Sequence, residues 1–159
     1  MSLSDYDIIC CTETWLQSAV LSSELFTDKY VVFRADRNFS AMGCSRGGGV
    51  LIGIRNQLAA SEVNMTFIRD DIPSIDIIGM KLRYKNEVTY FFVIYIPPDK
   101  STSCYERFFE HLESLDYLFG KSIYILGDFN VPEFVNENHL QSSHKQKTIQ
   151  SFMGFFDLS

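Results

Sequence analysis

The chain has 159 residues, 46% hydrophobic and 21% charged, which suits one globular domain and excludes a disordered or fibrous protein. Fourteen Lys and Arg against 20 Asp and Glu leave a net charge of −6, which argues against broad electrostatic adhesion to nucleic acid. A local basic groove or a metal-organised phosphate site stays compatible with that charge. No apolar run approaches the length of a membrane span, and the opening Met-Ser-Leu-Ser-Asp-Tyr-Asp lacks the basic and apolar regions of a secretory signal. An intracellular protein is therefore expected, with Cys10, Cys11, Cys44 and Cys104 as reduced thiols. None of them forms a C-x-x-C pair, which argues against a zinc knuckle.

In chain order, Ile8 to Cys11 is a brief apolar run that ends at Thr12-Glu13-Thr14. Tyr30 to Arg34 is rich in β-branched and aromatic residues. Gly49 to Ile54 follows a glycine cluster, and those glycines predict a tight turn into a strand. Ile75 to Tyr84 and Val88 to Ile96 are the longest strand candidates, the second closed by Pro97-Pro98. Ser122 to Leu126 runs into Gly127-Asp128. Continuous rather than alternating apolar strands imply sheets covered on both faces. Phe108, Leu112, Leu115 and Phe119 give a helix one apolar face, with Ser103 and Glu106 at capping-box spacing and Gly120 at a C-cap position. A second helix is expected over about Lys145 to Phe156, with Ile149, Phe152, Met153 and Phe156 inward. The fold class expected is α/β (α+β), a layered β-sandwich of two mixed sheets flanked by helices.

Three of the apolar strands release polar groups at their carboxyl ends: Glu13, Tyr95, and the pair Asp128 and Asn130. Ligands collect at such ends because the loops there vary around a rigid frame. Side chains two apart on an extended chain point the same way, so Asp128 and Asn130 are expected to share a cleft while Phe129 faces the core. A carboxylate with a carboxamide suits Mg²⁺, or an oriented water and a phosphate oxygen. Each residue also has a plain structural reading, as a turn former, a solvated acid or, for Tyr95, a packed aromatic.

The runs DIICCTETW at 7–15, RGGGVLIGI at 46–54, VIYIPP at 93–98 and ILGDFN at 125–130 occur in one order at plausible spacing. Together they resemble the endonuclease/exonuclease/phosphatase superfamily, and more narrowly the apurinic-type endonuclease domain of non-LTR retrotransposons. The resemblance implies a DNase I-like fold and Mg²⁺- or Mn²⁺-dependent hydrolysis of phosphodiesters, with DNA as partner and the nucleus as location. By the same resemblance Glu13 holds the metal and Asp128 orients or deprotonates the attacking water. Asn130 contacts the scissile phosphate, and Tyr95 donates a hydrogen bond to it. Arg46 is a further candidate for a nucleic-acid phosphate; the glycines after it lack the P-loop pattern and precede a strand rather than a helix.

The histidines do not fit the family's ending. His111 falls on the first expected helix, and His139 and His144 in a polar stretch, none of them after a strand in a serine-aspartate-histidine sequence. The family's first, asparagine-bearing strand also has no counterpart before Asp7. The expectation is a partial domain over 1–159, nuclease by ancestry, without activity on its own. Open beside it stand a non-catalytic remnant or interaction module and a phosphomonoesterase of the same superfamily. Strands without neighbours invite aggregation, and Val88 to Ile96 is the expected hazard if its partner is among the missing strands.

Overall fold

Each apolar run becomes a strand in the computed structural model, which describes residues 6–39, 47–132 and 143–156. The elements are β1 (Ile8–Thr12), β2 (Tyr30–Ala35), β3 (Val50–Arg55), β4 (Ala59–Val63), α1 (Thr66–Asp71), β5 (Asp76–Tyr84), β6 (Glu87–Tyr95), α2 (Thr102–Glu113), β7 (Ser122–Asp128) and α3 (His144–Phe155). Two single 3₁₀ turns, Ser22–Glu24 and Asp116–Leu118, complete the described residues. The 59–63 strand and the 66–71 helix carry no long apolar signature, and the sequence pattern passes over both.

The strands divide into two sheets. One is antiparallel, in the order β1-β3-β2; the other runs β4-β5-β6-β7 and is mixed, because β6 and β7 are parallel and joined across α2. The sheets face each other, with β1, β2 and β3 packed over β5, β6 and β7. Period-2 alternation sends neighbouring residues of β5 and β6 into two different cores. Ile52, Ile54, Ile78, Met80 and Val93 fill the layer between the sheets. Ile77, Phe92 and Ile94 point the other way, onto Tyr105, Phe108 and Leu112 of α2 and onto Ile149 and Phe152 of α3. With both faces buried, β5 and β6 read as unbroken apolar runs, as the sequence implies.

Several boundaries differ from expectation. Helix α2 begins two residues early, with Ser101 at the N-cap in place of Ser103, and no side-chain cap forms there. Glu106 does not reach back to a cap; its carboxylate lies 3.4 Å from His144 Nε2 on α3. At the far end α2 stops at Glu113, where the Ser114 hydroxyl donates to the His111 carbonyl, so Gly120 follows the 3₁₀ turn rather than the helix. The aggregation hazard also moves. Strand β6 is interior, flanked by β5 and β7, whereas β7 pairs on one side only among the described residues and exposes Tyr124 and Leu126. A groove of about 530 Å³ runs between β7 and α3, lined by Ile123, Ile125, Phe152 and Met153 among others.

The thiols of Cys10, Cys11 and Cys104 are free, and burial, together with the neighbouring Cys11, pushes Cys10 up to about 11. Cys44 and His139 lie outside the described residues. No described helix is long and apolar enough to cross a membrane.

Candidate active site

Strand register brings the site together. Asp76 pairs with Tyr95, and Tyr95 with Asp128, so three polar side chains stand in one row across β5, β6 and β7 at one end of the sheet. Residues opposite one another across strands share a face, and the face here is the one turned toward the first sheet. From that sheet Glu13 arrives at the end of β1 and its carboxylate accepts the Tyr95 hydroxyl. Three of the four expected site residues are thereby tied to a single row.

Glu13 is exposed and held from several directions. Its Oε2 accepts the Gly48 N–H at 2.8 Å and the Trp15 indole Nε1–H. Partial burial pushes the carboxyl up, but the bonds from Tyr95, Gly48 and Trp15 and the charge of Arg37 outweigh it, so Glu13 ionises below the usual carboxylate range. Tyr95 moves the opposite way, to about 12, first through burial and then through the hydrogen bond and charge of Glu13. The phenol therefore stays protonated and acts as a donor.

The glycine turn that the sequence predicts is present and does more than reverse the chain. Gly47, Gly48 and Gly49 all have positive φ, and Trp15 N–H donates to the Gly48 carbonyl at 2.9 Å. A Cβ on Gly48 would lie 2.3 Å from Arg37 Cζ, so only glycine fits between Glu13 and that guanidinium. Gly127 plays the matching part on β7, where a Cβ would lie 1.9 Å from the Ile94 carbonyl oxygen. That close approach sets Asp128 beside Tyr95.

Asp128 and Asn130 line one cleft of about 680 Å³ with Pro98, Thr102, Ser143, His144 and Lys145, while Phe129 stacks against Phe109 of the helical core. The shared cleft is as expected, but its cause is not simple alternation. Asn130 has φ of +50, its N–H donates to Asp128 Oδ1 at 2.9 Å, and its Nδ2 donates to the Ile96 carbonyl at 2.8 Å. Its amide is thus tied to the loop after β6. Arg46 lies outside the described residues.

Two participants were missed from the sequence. Arg37 and Asp76 form a buried ion pair at 2.6 Å, with side chains 7% and 6% exposed. Asp76 Oδ2 also accepts the Gly49 N–H at 2.9 Å, and the Arg37 guanidinium lies 5.1 Å from the centre of the Tyr95 ring. Burial raises the Asp76 carboxyl, more than the bonds from Arg37 and Gly49 lower it. The available signal was a charged residue opening the apolar first half of a strand, Asp76-Ile77-Ile78-Gly79-Met80.

No family model and no curated protein matches the sequence. Solved structures do. The endonuclease domain of TRAS1, a telomere-specific non-LTR retrotransposon, is 12% identical with a TM-score of 0.65, over 95% of this chain and 60% of that one. The human Nocturnin catalytic domain with bound sulfate is 12% identical with a TM-score of 0.60, over 94% of this chain and 56% of that one. D. rerio TDP2, humanised by 14 mutations, is 12% identical with a TM-score of 0.53, over 88% of this chain and 60% of that one. At such identities the likeness is one of fold, the DNase I-like sandwich expected from the sequence. The chain spans about 60% of the length of these structures.

Proposed function

We propose that the cleft at the ends of β1, β6 and β7 is a phosphodiester-hydrolysing site that acts on DNA with a divalent cation. The observation that carries this reading is the Asp76–Tyr95–Asp128 row with Glu13 bound to its middle member. The fold shared with an endonuclease domain supports it, as do the four ordered motifs.

The donor set fits Mg²⁺ or Mn²⁺. Glu13 offers an ionised, exposed carboxylate at the end of β1. Mg²⁺ is commonly held by one or two carboxylates, with water and substrate phosphate completing its shell. Glu13 would hold the ion, which when bound supplies charge neutralisation at the phosphate. The remaining work falls to the chain. Asp128, exposed at the end of β7, orients the attacking water and accepts its proton. Tyr95, whose one hydroxyl proton rests on Glu13, would donate it to a phosphoryl oxygen once a cation takes the Glu13 carboxylate. Asn130 holds Asp128 in place through its own N–H and lines the phosphate side of the cleft.

The test is nicking of supercoiled plasmid with Mg²⁺. In protein that nicks, Asp128→Ala lowers the rate by roughly 10²- to 10⁴-fold, the range of a lost general base, and Glu13→Ala abolishes Mg²⁺-dependent nicking. Nicking that survives unchanged in both variants contradicts the site. A second reading, a non-catalytic interaction module, draws on the Asn130 amide being engaged by the Ile96 carbonyl instead of the cleft. A folded wild type that nicks no DNA and releases no phosphate from phosphomonoesters supports that second reading.

A further inference from the structure

The Arg37–Asp76 pair is the one buried ion pair among the described residues whose two side chains are both under a tenth exposed, and the hydrolytic reading assigns it no part. A buried pair contributes little net stability, because desolvation of both ions offsets their attraction. Its contacts go instead to Glu13 and Tyr95. Asp76 Oδ2 holds the Gly49 N–H, and the next residue back, Gly48, donates its N–H to Glu13. The same turn takes the Thr14 and Trp15 N–H groups on its Gly49 and Gly48 carbonyls. Glu13 is thus fixed to Asp76 through one peptide unit. On the other side Arg37 lies against the Tyr95 ring, within the range of a cation–π contact, and donates to the Ser74 carbonyl before β5.

We propose that Arg37 and Asp76 are positioning residues for the site, Asp76 setting the Glu13 carboxylate through the glycine turn and Arg37 setting the Tyr95 ring through its planar face. The assignment rests on the reading of Glu13 and Tyr95 as cation- and phosphate-facing groups. A guanidinium is needed for the second task, since an ammonium cannot lie flat on a ring and bind a carboxylate along its edge at once.

Trp15 is the single tryptophan, and its indole N–H bonds to Glu13 Oε2, so one indole peak in a ¹⁵N-labelled sample reports where that carboxylate sits. The variant to examine is Arg37→Met with Asp76→Leu, which replaces the pair by apolar groups of similar size and keeps the layer packed. The expected result is a folded protein whose indole peak moves toward its position in Glu13→Gln. Mn²⁺ affinity, read by electron paramagnetic resonance, falls roughly 10- to 100-fold, as when groups that orient a metal ligand are removed. Arg37→Lys keeps the charge and leaves the indole peak near wild type, but lowers kcat for nicking with KM unchanged. If the double variant does not fold, Asp76→Ala, which removes the acceptor for the Gly49 N–H, is read in the same way. A folded variant with an unmoved indole peak and wild-type Mn²⁺ affinity overturns the proposal. Wild type that nicks no DNA defeats the hydrolytic reading alone, because the indole shift still decides the positioning role.

Discussion

The two ends of the second sheet differ in how they use strained backbone. At one end β5 turns into β6 through Lys85 and Asn86, with Tyr84 paired to Glu87, and Lys85 has φ of +54. Such a φ is what a two-residue hairpin turn demands. At the other end Glu13, Trp15 and Asn130 have φ of +53, +55 and +50, and no hairpin there requires it. Each instead makes contacts that fix the conformation: Glu13 on Gly48 and Tyr95, Trp15 on Glu13 and the Gly48 carbonyl, Asn130 on Asp128 and Ile96. A left-handed non-glycine residue costs roughly 1–2 kcal/mol and persists only where its surroundings over-determine it. Three of them stand around one row of polar side chains, at the end where the proposed site lies.

The comparison can be broken most severely at Gly48. Gly48→Ala places a methyl group against the Arg37 guanidinium in a backbone region that L-residues rarely adopt. The expected outcome is a loss of roughly 2–4 kcal/mol of stability, above the strain of one left-handed residue alone because the buried pair must also shift. Urea denaturation measures it, and plasmid nicking should be lost even where the variant remains folded.

A paired substitution sharpens the contrast. Lys85→Gly relieves turn strain and gives up only the exposed contact of Lys85 Nζ over the Tyr84 ring at 5.4 Å, so stability should rise by less than about 1 kcal/mol, with the site unchanged. Asn130→Gly gains similar relief but gives up the 2.8 Å amide bond to Ile96, so the net change should be near zero or unfavourable. Equal gains at both ends would show that the site end carries no special restraint.

The smallest effect is one of pH. Glu13 ionises below its ordinary value of 4.5, so its interactions are fully present above that value and are lost as pH falls through the lower, folded one. Titration of the Trp15 indole peak should give a midpoint below 4.5. A midpoint above 4.5 would mean that burial outweighs the hydrogen bonds at Glu13.

Much of this was legible in the sequence because it is local. Continuous apolar runs gave six strands to within a residue or two at each end, and the Ile149, Phe152 and Met153 spacing gave α3. Glu13, Tyr95 and Asp128 stood out as polar groups closing apolar strands. What the sequence hid is set by pairing across distance. Strand β4, Ala59-Ala60-Ser61-Glu62-Val63, has little intrinsic strand character and forms because it lies along β5 at the sheet edge. The Arg37–Asp76 pair joins residues 39 positions apart, and only the register of β5 against β6 sets Asp76 beside Tyr95. The hazard expected of β6 without a partner does not arise, since β5 and β7 flank it, and strand order cannot be read from apolar content.

The central claim is that an ionised Glu13 at this end of the sandwich is open to a divalent cation. Titration of ¹⁵N-labelled protein with Mn²⁺ tests it most directly, since the paramagnetic ion broadens nearby resonances. The Trp15 indole peak should vanish at substoichiometric Mn²⁺ in wild type, recover on adding excess Mg²⁺, and persist in a folded Glu13→Gln variant. An indole peak that stays sharp in wild type, or that broadens equally in Glu13→Gln, contradicts the account.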